Sequence, residues 1–407
     1  MTNVVLDRPY EFIPPHRGNF WPSFIQTFRI VDKYLKRKEG VVGYECRGLE
    51  HFKASVDRGD GILLAPNHCR YADPLVLGWP AREISVHLYA MASWHLFNKG
   101  RFDSFAITKM GGFSVNREGL DRQSLETAIN AIAGAERPLV LFPEGTTNRT
   151  NDVLKPLLDG VAFIARSAAR KRAKAGGQVV MHPIALKYLC VGDVHEWAHS
   201  QLQKIEDRLG WRLSIDKSSK GILDRTVRLA EGLLCLKEIE YFGESKSGDL
   251  PSRRDRLIQH TLASTESRLG IETTEENVRS RVRTIRTAVV TQFFQTQDAS
   301  EHFRLRADVV AAELAQELLS YPDCYLLADQ VTDTRIVETI QRMQENLWGK
   351  ADVSIPLRVV VQFDEPVVVP PEKAPRGQTD PLMSGLETAL NRMLASLSEE
   401  ANPLLDA

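Results

Sequence analysis

The stretch that decides the fold is residues 62–78, ILLAPNHCRYADPLVLG, in which an apolar strand leads through a polar turn into an apolar helix. Asn67 and His68 come directly after the strand segment, and Asp73 with the proline that follows it opens the helix. Asp-Pro is a common pair at a helix start. Since open α/β sheets place their sites at the carboxyl ends of strands, this turn is a candidate functional site.

His68 and Asp73 are candidates for a base and its orienting carboxylate. On one continuous helix the two side chains would point about 140° apart, because the helix turns once in roughly 3.6 residues. They meet only if a turn separates them, and the carboxylate then fixes the imidazole tautomer and leaves the other ring nitrogen as a base. The alternative is that Asp73 only caps the helix and His68 only satisfies the turn.

The surrounding sequence alternates between strands and helices. Strands are predicted at 61–65, 84–90, 114–116, 139–142 and 179–186, and helices at 73–79, 122–133 and 160–174. This alternation indicates an α/β domain with a mixed, largely parallel sheet flanked by helices. Pro183 lies inside a predicted strand, and proline in strands is confined to edges, ends or bulges, so we expect it to line a cleft or a rim.

The rest of the chain predicts an interrupted domain. Helical periodicity with many charges covers 226–241, 252–269, 275–296 and 300–319, after which 357–369, LRVVVQFDEPVVV, returns to strand character. The predicted divisions are an N-terminal amphipathic segment (1–39), an α/β domain (40–190), a large helical insertion (191–355) and the closing strand and helix of the domain (356–400).

Composition limits the class of protein. The 407 residues carry 52 Lys and Arg against 53 Asp and Glu, a net charge of −1, whereas a dedicated nucleic-acid binder needs a basic excess. Five widely spaced cysteines without a CxxC pair disfavour a disulfide framework or a thiolate zinc site. No apolar run reaches the ~20 residues that a membrane-spanning helix needs. We therefore expect a cytoplasmic protein with no nucleic-acid partner.

Residues 19–38, NFWPSFIQTFRIVDKYLKRK, form a predicted helix with an aromatic face and a basic end. One interpretation is a helix packed on the domain, with its cations matching the helix dipole. The other is a helix lying in a membrane interface, with its aromatic rings in the lipid and its bases on anionic headgroups.

Two further polar blocks stand beside predicted strands. In KMGGFSVNR, 109–117, Arg117 follows a short strand and has the planar fork that holds a phosphate or carboxylate. In PLVLFPEGTTNRT, 138–150, Glu144 starts a turn after a buried strand, and either orients Arg117 or binds an acceptor hydroxyl. Gly145 lets backbone N–H groups approach an anion, and Thr146 adds a hydroxyl donor. Taken alone, each block also fits a plain surface turn.

The order and spacing of the blocks resemble those of the glycerol-phosphate/lysophosphatidate acyltransferase family. The chain carries NHxxxxD at 67–73, a GxxxxxR block at 111–117, FPEGT at 142–146 and HPIAL at 182–186. FPEGT is the most specific of these, followed by NHxxxxD. The resemblance covers about residues 40–190 and 356–400.

The resemblance implies an O-acyltransferase acting on lipid precursors. His68 is implied as the general base and Asp73 as the residue that orients it. The base would deprotonate a hydroxyl of a glycerol-phosphate or lysophospholipid acceptor, and the oxygen would attack the thioester of acyl-CoA or acyl-carrier protein. Neither a covalent acyl-enzyme nor a bound cofactor or metal is implied. The residues expected to contact substrate are Asn67, Arg70, Arg117, Glu144, Gly145 and Thr146.

The sequence departs from the family pattern in ways that leave the acceptor open. Arg70 stands where serine is frequent, and Thr147 where arginine or lysine is frequent. We expect Arg70 to supply the cation that Thr147 lacks. A lipid substrate also favours the interfacial interpretation of 19–38, and hence a peripheral protein on the inner face of a membrane.

Two other classes of protein remain as alternatives. One is a catalytically inactive lipid-binding or interaction protein on the same fold, and the other is a hydrolase with Cys69 or Ser114 as its nucleophile. The insertion has several open interpretations: binding a carrier protein, covering the acyl channel, oligomerisation, membrane contact or a merely solvated helical surface.

Overall fold

The computed structural model describes residues 4–147, 149–272, 277–372 and 380–405. In these residues an eight-stranded, mostly parallel sheet is flanked by helices, which confirms the predicted fold class. The strands are β1 (Val41–Arg47), β2 (Gly61–Pro66), β3 (Tyr89–Ser93), β4 (Gly112–Val115), β5 (Leu139–Val140), β6 (Val179–Cys190), β7 (Leu357–Phe363) and β8 (Val367–Val368).

The strand order is β1-β7-β6-β2-β5-β3-β4, and β8 pairs with the first part of β6. The β6–β7 and β6–β8 pairs are antiparallel and the others are parallel. The carboxyl ends of β2 and β5, from which the NHxxxxD and FPEGT blocks leave, are therefore neighbours at one edge of the sheet.

Helices cover both faces of the sheet. Those before β6 are α1 (Phe20–Thr27), α2 (Ile30–Tyr34), α3 (Leu49–Asp57), α4 (Asp73–Val76), α5 (Gly78–Glu83), α6 (Arg101–Lys109), α7 (Arg122–Gly134) and α8 (Gly160–Ala173). Those between β6 and β7 are α9 (Val194–Arg208), α10 (Ser219–Phe242), α11 (Leu250–Leu269), α12 (Val278–Gln295), α13 (Ala299–Leu318) and α14 (Asp333–Trp348), and α15 (Pro381–Ser398) follows β8.

The helices between β6 and β7 belong to two different cores. Side chains of α9 and α14, such as Leu202, Ile336 and Ile340, join the apolar cluster on one face of the sheet. Residues of α11, α12 and α13 form a separate apolar cluster with the end of α10. Part of the predicted insertion is thus packed on the sheet itself. The other face of the sheet is covered by α7, α8 and α15.

Several predicted elements are wrong in their limits: the strand predicted at 139–142 ends at Val140, and the helix predicted at 73–79 is divided into α4 and α5. The strand predicted at 84–90 begins only at Tyr89, because α5 continues to Glu83 and the chain then turns through Ser85 at φ 59°. The strand predicted at 114–116 starts at Gly112 and stops before Asn116, whose backbone N–H binds the Asp121 carboxylate at 2.9 Å.

The helix predicted at 19–38 is broken. Arg29 adopts a left-handed conformation with φ 50°, which separates α1 from α2, and a π-helical turn, Leu35–Glu39, completes the segment. Strand β1 and helix α3 were not predicted. Residues 275 and 276 of one predicted helix, and residues 373–379 of the closing segment, lie outside the described residues.

Pro183 is also placed differently from the prediction. It is buried within β6, between β2 and the β7–β8 side of the sheet, rather than at a rim. The neighbouring strand changes here: Met181 pairs with Val367 of β8, and Ile184 pairs with Phe363 of β7. A proline is accommodated because no carbonyl of a paired strand needs its N–H at the gap.

No helix in the described part of the chain is both long and apolar enough to cross a membrane.

Candidate active site

The structure brings His68 and Asp73 together at the end of β2. The segment between them is a turn, so the imidazole Nδ1 lies 2.8 Å from Oδ2 of Asp73. The carboxylate is fully buried, and 15% of the histidine side chain is exposed. Since a carboxylate accepts the proton of Nδ1, the lone pair of the imidazole lies on Nε2. Nε2 has no hydrogen-bond partner among the described residues, and is available as a base.

Asp73 is held by donors on both oxygens. The Tyr188 hydroxyl donates to Oδ1 at 2.7 Å, and the backbone N–H of Arg70 donates to Oδ2 at 2.8 Å. Burial raises the pKa of the Tyr188 phenol well above its usual value, so the tyrosine remains a donor. These bonds fix the buried carboxylate in place, and with it the imidazole ring that it orients.

A second contact fixes the plane of the imidazole. The His68 ring stacks on Phe142, with ring centroids 3.9 Å apart and planes 23° from parallel. Phe142 is the first residue of the FPEGT block, so the block supplies a wall against the base. The ring is therefore held in the plane by Phe142 and at its Nδ1 edge by Asp73.

Glu144 joins the first and third blocks. Its Oε1 accepts the backbone N–H of His68 at 2.6 Å, and its Oε2 accepts that of Lys155 at 2.9 Å. Burial raises the pKa of this carboxyl to about 7, against the lowering effect of the two N–H donors. These contacts position the main chain of the base, and a contact of Glu144 with substrate stays a prediction.

The residues after Glu144 form a tight turn. Gly145 has φ +70°, and a Cβ there would come within 2.5 Å of the Leu158 side chain, so the turn requires glycine. The Gly145 N–H is bound to the carbonyl of Phe142 at 3.0 Å and Thr146 is half-buried beside it. Their binding of substrate stays a prediction.

Asn67 and Arg70 are directed into the protein. The Asn67 amide makes two bonds with the main chain of Leu186 in β6, at 2.7 and 3.1 Å. The Arg70 guanidinium donates to Gln341 of α14 at 2.9 Å and lies over the Tyr188 ring. Both residues thus tie the turn to its surroundings, and their contact with substrate stays a prediction.

Four cations lie close enough to one another to interact, and two of them come from α12. This cationic cluster consists of Arg117, Lys155, Arg279 and Arg286. Burial, followed by the charge of Arg286, lowers the pKa of Arg117 to about 10. Burial, followed by the charge of Arg279, lowers the pKa of Lys155 to about 8. Mutual repulsion of this kind is relieved when an anion binds among the charges.

Arg279 connects the cationic cluster to the FPEGT turn. Its Nη1 donates to the carbonyl of Glu144 at 3.2 Å and to that of Pro156 at 2.9 Å. Arg286 pairs with Glu313 at 3.3 Å and its buried Nε has no hydrogen-bond partner among the described residues. The cluster was only partly predicted: α12 follows the FPEGT block by more than a hundred residues, and charged helical faces are usually just solvated.

Cys69 and Ser114, the two candidate nucleophiles of a hydrolase, are both buried. Cys69 is fully buried, and burial together with the charge of Asp73 raises the pKa of its thiol well above the usual value. The Ser114 hydroxyl is buried and accepts the backbone N–H of Ile13 at 2.8 Å. A nucleophile needs a lowered pKa or an adjacent base, and these placements supply neither.

Asn151 and Tyr188 are site residues that the sequence did not reveal. The Asn151 amide makes two bonds with the main chain of Tyr188, at 2.6 and 2.9 Å, and so places the tyrosine that holds Asp73. Tyr188 lies near the end of β6, the strand that contains HPIAL. An alternation of apolar and polar residues along a strand usually shows toward which face a side chain points. The whole strand is buried up to its last residue, which hides the direction of the side chain.

The fold is an α/β sheet in which a histidine paired with a buried carboxylate lies at the carboxyl end of a central strand. Residues 44–187 match the family model described as Acyltransferase. This region of the chain belongs to the glycerol-phosphate/lysophosphatidate acyltransferase family, as the sequence resemblance predicted. The acyltransferase domain at residues 44–187 supports an acyltransferase activity for the protein.

Proposed function

We propose that this acyltransferase moves a fatty acyl group from an acyl thioester, acyl-CoA or acyl-carrier protein, to a hydroxyl of a glycerol-phosphate or lysophospholipid acceptor. The observation that carries the proposal is the 2.8 Å contact between His68 Nδ1 and the buried Asp73 carboxylate, on a ring that is partly exposed. A histidine held in this tautomer is suited to general-base work near neutral pH.

The reaction requires one proton relay and no covalent acyl-enzyme. Nε2 of His68 takes the proton of the acceptor hydroxyl while its oxygen forms a bond to the thioester carbonyl carbon. The Asp73 carboxylate stabilises the imidazolium that results. The tetrahedral intermediate then collapses with cleavage of the C–S bond, and the thiolate leaves with the proton from the imidazolium. The products are an ester and a free thiol.

The cationic cluster supports an acceptor that carries a phosphate. Arg279 contacts the FPEGT turn, and Arg117 lies within electrostatic range of Arg279 and Arg286. Guanidinium groups bind phosphate in a bidentate manner. Two of these charges come from α12. In this proposal they replace the basic residue that is frequent at the position of Thr147, and Arg70 is not needed for that role.

Exposed aromatic side chains support attachment to a membrane surface. Phe20, Phe24 and Phe28 of the α1 region and Phe102 and Phe105 of α6 are exposed, and form the aromatic patch. Trp21 joins its two parts, since its ring lies 5.1 Å from that of Phe105. Exposed bases at Lys33 and 36–38 follow in the chain. Such a combination suits insertion of rings into a lipid interface and attraction to anionic headgroups.

The test is acyl transfer by the purified full chain. Acyl-CoA and acyl-carrier protein are each offered with glycerol 3-phosphate and with a set of lysophospholipids, and the ester and the free thiol are measured. We expect transfer to at least one phosphate-bearing acceptor, lost on His68→Ala and retained on His195→Ala, an exposed histidine of α9. Equal transfer by wild type and His68→Ala would overturn the catalytic assignment, and no transfer by folded wild type would favour the inactive lipid-binding protein.

A further inference from the structure

The helices between β6 and β7 form a large, open cavity whose lining does not include His68 or Asp73. Its volume is about 900 Å³, at the upper end of the range for sites that hold a ligand. It lies between α10, α13, α14 and the segment 320–327. The surface of the cavity is mainly apolar, although charged residues also line it. Its aliphatic lining residues include Val227, Ala230, Leu233, Leu314, Leu318 and Leu326.

The two ends of this cavity differ in exposure. Leu236, Val310 and Leu327, which line it, have 50%, 48% and 44% of their surface exposed and form an apolar rim. Arg149 and Glu338, which also line it, are buried. The exposed part of the cavity also carries the charged residues Glu240 and Asp323, and a ligand that passes between these groups and the aliphatic rim meets Arg149 and Glu338 at the buried end.

The buried end is attached to the catalytic machinery. The backbone N–H of Arg149 donates to the carbonyl of Cys69, the residue after His68, at 2.9 Å. Glu313, another lining residue, pairs with Arg286 of the cationic cluster at 3.3 Å. The cavity thus borders both the turn that carries the base and the cations proposed to hold the acceptor.

Polar atoms at the buried end have unused bonding capacity. Nε of Arg342, a lining residue that is 9% exposed, has no hydrogen-bond partner among the described residues. A buried donor without a partner is costly, and a carbonyl or phosphate oxygen of a ligand would satisfy it. A mainly apolar cavity that also holds a buried donor without a partner fits an amphiphile with one hydrocarbon chain.

We propose that this cavity binds the aliphatic chain of a substrate lipid, with the polar end of that chain at Arg342 and Arg149 and its tail toward the rim. The inference rests on the proposed function in taking the lipid to be a substrate of the His68 site. The helical insertion then determines chain-length preference. The chain is either the acyl group of the thioester or the chain already present on a lysophospholipid, and the chemistry of recognition is the same for both.

Chain length is the quantity that the cavity should control. Each methylene group that enters an apolar site tightens binding about fourfold. Affinity should therefore rise with chain length until the cavity is full and then level off. Filling the cavity should lower the length at which this happens, and enlarging it should raise that length.

Direct binding tests the cavity without relying on catalysis. A fluorescent long-chain fatty acid is titrated into the full chain and displaced by saturated fatty acids from hexanoic to octadecanoic. The filling variant is Leu233→Trp and the enlarging variant is Leu233→Ala, and Ile215→Trp, an exposed position in the same insertion, is the control. We expect Leu233→Trp to weaken octadecanoate binding tenfold or more, Leu233→Ala to favour longer chains, and the control to match wild type.

Transfer assays then identify the source of the chain. In one arm the acyl-CoA chain is varied from butanoyl to octadecanoyl with glycerol 3-phosphate as acceptor; in the other, the lysophosphatidate chain is varied with a butanoyl donor. If the Leu233 variants change the chain-length preference in only one arm, the substrate varied in that arm is the one whose chain occupies the cavity. Thermal unfolding at the wild-type temperature shows that the Leu233 variants are folded. If these folded variants bind the fatty acid series and transfer acyl groups as wild type does, the inference is wrong. Fatty acid binding that responds to Leu233, in a chain that transfers nothing, would overturn the proposed function and the substrate role of the lipid together, and leave a cavity that only binds lipid.

Discussion

The Tyr188 hydroxyl donates a 2.7 Å hydrogen bond to Oδ1 of Asp73, the carboxylate whose other oxygen holds His68. The tyrosine does not touch the ring, and so acts on the base only through the carboxylate. It extends the two-residue motif into a chain of three side chains, of which the last comes from β6. Asp73 is thereby held by Tyr188 of strand β6 as well as by the backbone N–H of Arg70 in its own turn.

Tyr188→Phe should lower kcat about tenfold, because a hydrogen bond to a buried charge is worth roughly 1.5–3 kcal/mol and part of that orients the base. KM should stay unchanged, since the hydroxyl is bound to Asp73 rather than to substrate. Steady-state kinetics of acyl transfer give both constants. Tyr10→Phe, which removes another hydroxyl bonded to a carboxylate away from the site, is the control. A rise in KM with an unchanged kcat would contradict the positioning role.

Asp73→Asn should reduce kcat by about a thousandfold or more. The amide presents either a donor or a weaker acceptor to Nδ1, so the imidazole loses the tautomer that leaves Nε2 free, and the imidazolium loses its counter-charge. The measurement is kcat for thioester consumption, with circular dichroism to show that the fold persists. Asp121→Asn removes a different buried carboxylate that accepts backbone N–H groups, and should retain near wild-type kcat. Similar losses in both variants would assign the effect to folding instead.

Glu144 should make the stability of the protein depend on pH. Its pKa is raised by burial from 4.5 to about 7, so the unfolded chain releases this proton before the folded chain does. Stability is therefore lost as pH rises between these two values, by roughly 2–3 kcal/mol from about pH 5 to about pH 8. Glu144→Gln has no such proton.

The measurement is the free energy of unfolding in urea for wild type and Glu144→Gln at both pH values. The variant loses one acceptor at either pH, so only the change in the difference between the two proteins is informative. That difference should move in favour of the variant at the higher pH. A difference that is independent of pH would show that Glu144 ionises in the folded state at its ordinary pKa.

Arg279→Met should raise KM for a phosphate-bearing acceptor about tenfold or more, with a smaller effect on kcat. The guanidinium donates to the carbonyl of Glu144 in the FPEGT turn and to that of Pro156, and it adds positive charge near Arg117. Arg283→Met is a matched control, because it removes the same charge from the exposed face of the same helix. Equal KM changes in the two variants would show that Arg279 acts only through the overall charge of the helix and does not bind the acceptor directly.

Short motifs in the sequence were enough to predict the contact between His68 and Asp73 and the acyltransferase domain, but not the residues that surround them. NHxxxxD and FPEGT each lie on one turn beside one strand, so their spacing carries the geometry. Arg279 reaches Glu144 across 135 positions in the sequence, and no local pattern encodes such a contact. The break at Arg29 was hidden for a related reason, since a left-handed residue leaves the apolar spacing on either side of it intact.

The aromatic patch should determine membrane binding. Phe102 is 79% exposed and Phe20 69% exposed, and a fully buried phenylalanine gains roughly 1.5–3 kcal/mol on leaving water. Phe102→Ser should therefore lower the partition coefficient onto anionic liposomes about tenfold, measured by sedimentation. Phe303→Ser, an equally exposed phenylalanine of α13 outside the patch, should leave partitioning unchanged. The residual binding should weaken with added salt, because the bases near Lys33 act through screened charge. Binding that is lost equally in both variants would exclude the patch as the membrane contact.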